Sequence, residues 1–479
     1  VPPAPAPAEP PAPAPNPDSA IGGGGPAQTL SAPFAFGDFT WLNGYDRRHK
    51  ALLDTDMVSP IFLADVNYTY SFNRPIDDTV VGSTSLFRNN EISLLDIGIG
   101  AEFHLRHMRG KVLLQFGGRS TVIPRNDVSP LKGQFNLATA YRYLSEAYGG
   151  YHWDVLHGVN VDAGIFMSYI GLYSYFSAEN WSYQPSFTSD NTPWFFNGVR
   201  TQIFPSDKFK IEPWVINGWQ SYAKFNEAPS VGFSLLWMPD ESFKFVSNNY
   251  YGFDEPNMPG NFRAHTDNSL LYRYFNDPKS DTLSKAAFSI TGDAGFQIGD
   301  GQVPWGGTGH EWANNNPING SGCTTATPCN ANFLSWMAYN RFWFDEDHVG
   351  LTVGGGMMHN DSRYLVLPPS GLAQVGTTNG VTAANPLGTG FDLNSGTTFN
   401  GADFSLSAQY MPDDYTEFLI EFVHRQTDVP YYAGHGGVTG PSGYNAGNAD
   451  NPVVNAPNGW KPDLVNSENR IIAAIMVRL

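Results

Sequence analysis

NRIIAAIMVRL, residues 469–479, closes the sequence as a strict alternation. Asn469, Ile471, Ala473, Ile475, Val477 and Leu479 fall on one face of an extended strand, and Arg470, Ile472, Ala474, Met476 and Arg478 on the other. One face is greasy; the other carries two arginines. In a soluble sandwich the apolar face would meet a core, yet the chain stops on this strand with nothing after it to cover its edge. Closing a barrel supplies the partner. The expectation is an all-β fold: a transmembrane antiparallel β-barrel that opens a polar pore in an outer membrane.

The same period of two recurs upstream. Phe62, Ala64, Val66, Tyr68, Tyr70 and Phe72 oppose Asp65, Asn67, Thr69 and Ser71. Leu95, Ile97, Ile99, Ala101, Phe103 and Leu105 oppose Asp96, Gly98, Gly100, Glu102, His104 and Arg106. Phe288, Ile290, Ala294 and Phe296 oppose Ser289, Thr291, Asp293 and Gln297; Phe404, Leu406 and Ala408 oppose Asp403, Ser405, Ser407 and Gln409; Phe418, Ile420 and Phe422 oppose Glu417, Glu421 and Arg425. Less regular strands are read at 111–120, 136–148, 159–173, 194–204, 209–220, 231–238, 243–253, 263–275, 332–344 and 349–358. With 469–479 the count is about 16 strands (alternative 18), and the even number suits a single-chain bacterial barrel.

The connections fall into two alternating classes. Short turns (109–110, 154–158, 206–207, 238–241, 345–347, 411–414) separate longer Gly/Asn/Ser/Thr-rich loops, three of them very long at 300–331, 359–401 and 427–468. Such barrels place short turns towards the periplasm and long loops outside. Counting back from the last strand puts the start of the first, near Pro60, on the periplasmic side as well.

Composition agrees. Charged residues make up 15% of the 479 and aromatics 14%, with 50 Gly and 36 Pro, against roughly 25% charged residues in ordinary soluble proteins. No run of 18 apolar residues exists, which excludes a helical membrane protein but not a barrel, whose strands hide their signal in alternation. The net charge of −18 argues against nucleic acid as a partner.

Three organisational units are expected. Residues 1–33 form a Pro/Ala- then Gly-rich tether of extended geometry, either an unstructured lead-in or a reach towards the cell wall or a periplasmic protein. Residues 34–59 contain FAFGDFTWLNGYDRR, aromatic but imperfectly alternating, which suits a short strand, a plug in the lumen or an extra barrel strand; because it would be an odd seventeenth strand, it is read as a plug or lumen segment. Residues 60–479 are the barrel. The start at Val1, with no charged-then-apolar segment, is expected of a form from which any signal peptide has been removed.

Cys323 and Cys329, with five residues between them in a Gly/Asn/Thr-rich stretch, match no redox, haem or zinc spacing and are read as a local disulfide. His310-Glu311-Trp312 lacks the second histidine of a zincin. Met357-Met358-His359 reads as a strand end, and Asp345-Glu346-Asp347 as a solvated turn, with a calcium contact the alternative. No metal, cofactor or enzymatic reaction is expected.

With the strands placed, the chain resembles the OmpL-like putative beta-barrel porin family of Gram-negative bacteria. The similar stretches are FTWLNGYDRR (39–48), VNYTYSFNRP (66–75), LSEAY (144–148), VDAGIFMSYIG (161–171), NGVRTQI (197–203) and WVINGWQ (214–220). The resemblance implies an outer-membrane porin with no catalytic residues. Many such barrels end on an aromatic residue; this one ends on Leu479.

The functional candidates are inward-facing polar residues. The basic ones are Arg106, Arg119, Arg142, Arg200, Lys210, Arg425, Arg470 and Arg478; the acidic ones are Asp96, Glu102, Glu146, Glu212, Asp293, Asp403, Glu417 and Glu421. Facing charges in a water-filled constriction would orient polar solutes, whereas charges paired along the wall would only stabilise it. Residues 34–48 and the aromatic, amide-rich 175–193 loop are the candidates for narrowing the lumen. The expected partners are outer-membrane lipid and small hydrophilic solutes or ions. Trimerisation is common among porins of this size, but no interface signature is visible in the sequence. Two other readings stand beside the porin: a structural or adhesive barrel with a plugged lumen and partner-binding loops, and a sheath for a periplasmic partner.

Overall fold

Strand after strand carries large apolar side chains on one face and small polar or charged ones on the other, and in the computed structural model the apolar faces all point outwards. Residues 31–124, 127, 136–254, 259–299, 302–305, 329–363, 365–366, 398–438 and 462–479 are described. The 1–26 stretch, most of the three very long loops, Cys323 and His310-Glu311-Trp312 lie outside them. Cys329 is disulfide-bonded.

Sixteen antiparallel strands close a barrel in which each pairs with its sequence neighbours. They are β1 (Val58–Ser71), β2 (Ile92–Leu105), β3 (Met108–Phe116), β4 (Leu144–Trp153), β5 (Val159–Met167), β6 (Phe195–Ser206), β7 (Phe209–Ile216) and β8 (Ser230–Trp237), then β9 (Phe243–Gly252), β10 (Phe262–Asn276), β11 (Leu283–Ile298), β12 (Asn332–Phe344), β13 (Val349–Asn360), β14 (Phe399–Tyr410), β15 (Thr416–Thr427) and β16 (Ser467–Arg478). Two-residue ribbons at 302–303/329–330 and 432–433/464–465 decorate the long-loop end.

The last strand does close the barrel. In β16 Ile471 and Ile475 are exposed, while Arg470, Ile472, Ala474, Met476 and Arg478 are buried. It pairs with β15 on one side and β1 on the other, from Leu63↔Arg478 to Ser71↔Arg470, and Leu479 N donates to Phe62 O at 2.9 Å. Both edges are thereby satisfied. Exposed rings such as Phe103, Trp153, Trp237, Tyr274, Tyr410 and Phe418 stand near the turn end of their strands, where a lipid-facing band meets water. Among the described residues no helix is long and apolar enough to cross a membrane.

Three local readings need correction. Leu95 is fully buried and faces inwards, because the β1–β2 register shifts between Asp65 and Val66 and inserts one extra residue on β2. The 111–120 strand ends at Phe116, and Arg119–Val122 forms a short helix, α1. Within 136–148 the strand begins only at Leu144, preceded by α2 (Leu137–Tyr141), whose N-cap Asn136 accepts from Thr139 N at 2.8 Å. Asp345-Glu346-Asp347 is the turn expected between β12 and β13, with Asp347 accepting from Ser284 Oγ at 2.8 Å.

The packed core lies inside the barrel. Residues 34–49, the 72–91 loop and the 168–194 loop fill much of the lumen and bury Trp41, Val80, Leu86, Trp181, Tyr183 and Phe187 against the inner wall.

Candidate functional site: the lumen constriction

Once β5 ends at Met167 the chain turns inwards instead of out to solvent. Ser168 Oγ receives Ile170 N at 3.0 Å, and Gly171 adopts φ +96°, a conformation that favours glycine. The loop then crosses the lumen with its backbone amides aimed at wall carboxylates. Tyr183 N and Gln184 N donate to Glu421 at 2.6 and 3.0 Å, Phe187 N and Ser186 Oγ to Asp403 at 2.9 and 2.7 Å, and Gly171 N to Asp267 at 3.0 Å. Tyr183 Oη donates to Asp65 at 2.6 Å. At the loop's far end Arg425 grips Asp190 at 2.7 Å.

A second loop locks onto the first. Thr84 Oγ1 donates to Asp190 at 2.6 Å, Ser83 Oγ to Gln184 Oε1 at 2.9 Å, and Arg425 donates to Gly82 O at 2.6 Å. The loop interior is therefore hydrogen-bonded to β1, β10, β14 and β15.

On the opposite side much of the loop stands off the wall, touching it at Tyr169, whose hydroxyl donates to Asn249 O at 2.9 Å. Between it and the inner faces of β2 to β9 lies a cavity of about 240 Å³. Its wall carries Glu102, Lys111, Glu146, Arg200, Lys210, Glu212 and Lys244; the loop contributes Tyr169, Tyr173, Tyr175 and Glu179, and β16 contributes Arg478. Lys111 Nζ lies 2.5 Å from Glu146 and 3.3 Å from Glu102, Lys210 is 2.9 Å from Glu212, and Arg200 is 3.0 Å from Asp162. The Arg200 guanidinium also sits 4.9 Å from the Tyr148 ring centre, and Lys244 sits 4.0 Å from that of Tyr45. The loop approaches β8 so closely at Tyr169 that a Cβ on Gly232 would strike its hydroxyl.

Residues 34–49 run across the turn end beneath the loop. Trp41 Nε1 donates to Glu241 O at 2.9 Å, Trp181 Nε1 to Trp41 O at 2.9 Å, and Arg47 to Thr416 O at 2.7 Å, so the segment touches the β8–β9 turn, the loop and the start of β15. It is not a barrel strand. Asp46 is 3.3 Å from Arg478 and 2.6 Å from Arg48; burial pushes its carboxyl up, but those two guanidiniums outweigh burial and hold it down to about 2. Outside the cavity His49 Nδ1 meets Asp414 at 2.9 Å.

The sixteen candidates therefore separate. Glu102, Glu146, Arg200, Lys210, Glu212 and Arg478 line the cavity. Asp403, Glu421 and Arg425 hold the inner loop, while Glu417 accepts from Gln409 at 2.5 Å and stands 3.8 Å from Arg47. Arg119 is buried in α1, not on a strand, donating to Ser177 Oγ at 2.6 Å with Asp96 at 3.9 Å. Asp293 faces inwards opposite Asp267, 3.5 Å from His265. Arg470, at the loop end of β16, is 3.4 Å from Glu468. Two placements are corrected. Arg106 is exposed in the β2–β3 turn with φ +57°, and Arg142 caps α2 and bonds to Ser120 O at 3.1 Å. Lys111 and Lys244, which the same alternation turns inwards, also line the cavity. Asp46, Glu179 and Asp190 come from irregular segments and carry no periodic signal.

A closed sixteen-strand barrel, apolar outside and charged within, defines an outer-membrane β-barrel of porin type. Over residues 63–297 the chain matches the family model described as putative beta-barrel porin-2, OmpL-like, a stretch that includes the motifs between 66 and 220 but not FTWLNGYDRR at 39–48. A sequence search of curated proteins finds no match. Solved structures similar in fold include the outer membrane channel DcaP of Acinetobacter baumannii (9% identity, 88% of this chain and 97% of that one, TM-score 0.47). An anion-selective porin from Comamonas acidovorans (8%, 88% and 99%, 0.46) and a loop L8 deletion mutant of OmpT, an outer membrane protein of Vibrio cholerae (8%, 88% and 99%, 0.45), are similar too.

Proposed function

We propose that the chain is a passive porin through which small hydrophilic solutes and ions diffuse down their gradients. The observation that carries this reading is the cavity of about 240 Å³ walled by charges, left beside an inner loop that, with residues 34–49 and the 72–91 loop, fills much of the lumen. A barrel of sixteen strands is wide enough for an aqueous channel, and the inner loop reduces it to a lateral passage. Opposite charges around such a passage orient polar solutes and reject apolar ones. In this reading Glu102, Glu146, Arg200, Lys210, Glu212 and Arg478 line the path, and Asp403, Glu421 and Arg425 hold the loop that narrows it. Single-channel recording in planar bilayers tests it. Steady ohmic current is expected, and folded protein that passes none overturns the reading.

A second reading, a structural barrel with a closed lumen, is favoured by the 34–49 segment seated across the turn end. Its signature is no current from the full chain and current once residues 1–50 are removed.

A further inference from the structure

We infer that the cavity binds neutral polyhydroxylated solutes, mono- and disaccharides, and does so better than it binds ions of either sign; the inference rests on the porin reading. The charges lining the cavity balance: five cations, including Lys111, Arg200 and Lys210, face five carboxylates, including Glu102, Glu146 and Glu212. They also sit close together, Lys111 to Glu146 at 2.5 Å, Lys210 to Glu212 at 2.9 Å and Arg200 to Asp162 at 3.0 Å. A simple ion entering must compete with a partner already in place, so neither sign gains much.

A hydroxyl group faces no such competition. It donates to a carboxylate and accepts from an ammonium at once, so it inserts beside a Lys–Glu pair and satisfies both without separating the charges. A molecule with several hydroxyls in fixed geometry meets several pairs together. Sugars also carry apolar faces of C–H groups, and the cavity supplies flat surfaces for them. Tyr45, Tyr148 and Tyr169 line it and are partly buried. The Tyr148 ring is steadied by Arg200 at 4.9 Å and by stacking on Phe166 at 4.9 Å, and Tyr169 stacks on Trp214 at 4.9 Å. Rigid rings with polar tips beside paired charges suit an amphiphilic ring and offer little to a bare ion.

The test is bilayer conductance of the full-length protein in the presence of maltose. Maltose is expected to lower the current reversibly and to saturate, whereas a polyethylene glycol of similar size, lacking the dense hydroxyls, lowers it only in proportion to concentration. Tyr148→Ala raises the half-blocking maltose concentration roughly fivefold, and Tyr148→Phe, which keeps the ring, holds it within about twofold. Maltose block no stronger than that of the polymer, or block unaltered in Tyr148→Ala, overturns the inference and leaves the porin reading standing. Absence of any ion current in folded protein overturns both.

Discussion

Arg425 on the barrel wall holds Asp190 of the inner loop at 2.7 Å, with both side chains fully buried. The pair joins the far end of the 168–194 loop to β15, and Thr84 of a second loop binds the same carboxylate. Breaking a buried pair by removing one partner leaves the other charged and desolvated, at a cost of about 3–5 kcal/mol. Arg425→Gln is therefore expected to detach the loop end, and single-channel currents should become larger and noisier. Asp190→Asn added to it should recover much of the loss of stability; strict additivity of the two losses in a thermal-unfolding cycle would show that the pair does not hold the loop.

Docking of the N-terminal segment should depend on pH through His49 and Asp414. The hydrogen bond that the His49 imidazole donates to Asp414 raises the imidazole above its ordinary 6.5 and lowers the Asp414 carboxyl below its ordinary 3.8. The raised histidine contributes fully below pH 6.5 and loses its contribution as pH rises through the folded value. The lowered carboxylate contributes fully above pH 3.8 and loses it as pH falls through its own. Attachment should be tightest between those limits and loosen on the alkaline side. Hydrogen exchange of residues 46–52 against pH reads this out, and His49→Asn should flatten the alkaline limb.

Trp41 is buried beneath the inner loop and bonded at both ends. Trp41→Ala should weaken docking of residues 34–49 by about 3 kcal/mol, seen as faster proteolysis near Lys50. Removing residues 1–50 should leave a folded barrel, because the first strand begins at Val58, and should raise conductance. Removing residues 1–26 alone should leave conductance unchanged.

The two faces of β16 should respond differently. Ile475→Arg puts a charge on the exposed outer face and should cost on the order of 2 kcal/mol in the bilayer, reducing the folded fraction recovered from membranes. Arg478→Gln removes an inward charge that bonds to Asp46 and Glu179 and should mainly change conductance. The opposite pattern would mean that the faces are inverted.

Alternation was enough to find all sixteen strands and the pairing of the last with the first, because a one-residue slip would turn a whole strand inside out. It failed where the chain departs from period two. The extra residue at Leu95 inverts that position, and α1 and α2 look like strand in the sequence because short helices carry too few residues to show their own period. The site was legible in part. Glu102, Glu146, Arg200, Lys210 and Glu212 lie within strands, one of them strictly alternating and three less regular, and there their direction still follows from their neighbours. The grip of Asp403 and Glu421 on backbone amides of residues 183–187 joins residues more than two hundred apart, and nothing local in the sequence marks it. Arg106 and Arg142 were misplaced for a simpler reason: strand ends were extended through the turn and through the capping residue.

The pairing of Leu63 with Arg478 also bears on how the molecule is made. The seam joins the first barrel strand to the last, so β1 keeps an open edge until β16 pairs with it. The entropy of closing so long a loop rises only slowly with length, but it must be met before any seam hydrogen bond forms, which makes the step slow and exposes unpaired edges meanwhile. Assembly should therefore be limited by the seam, and chains cut before residue 467 should accumulate as unfolded protein for chaperones and proteases.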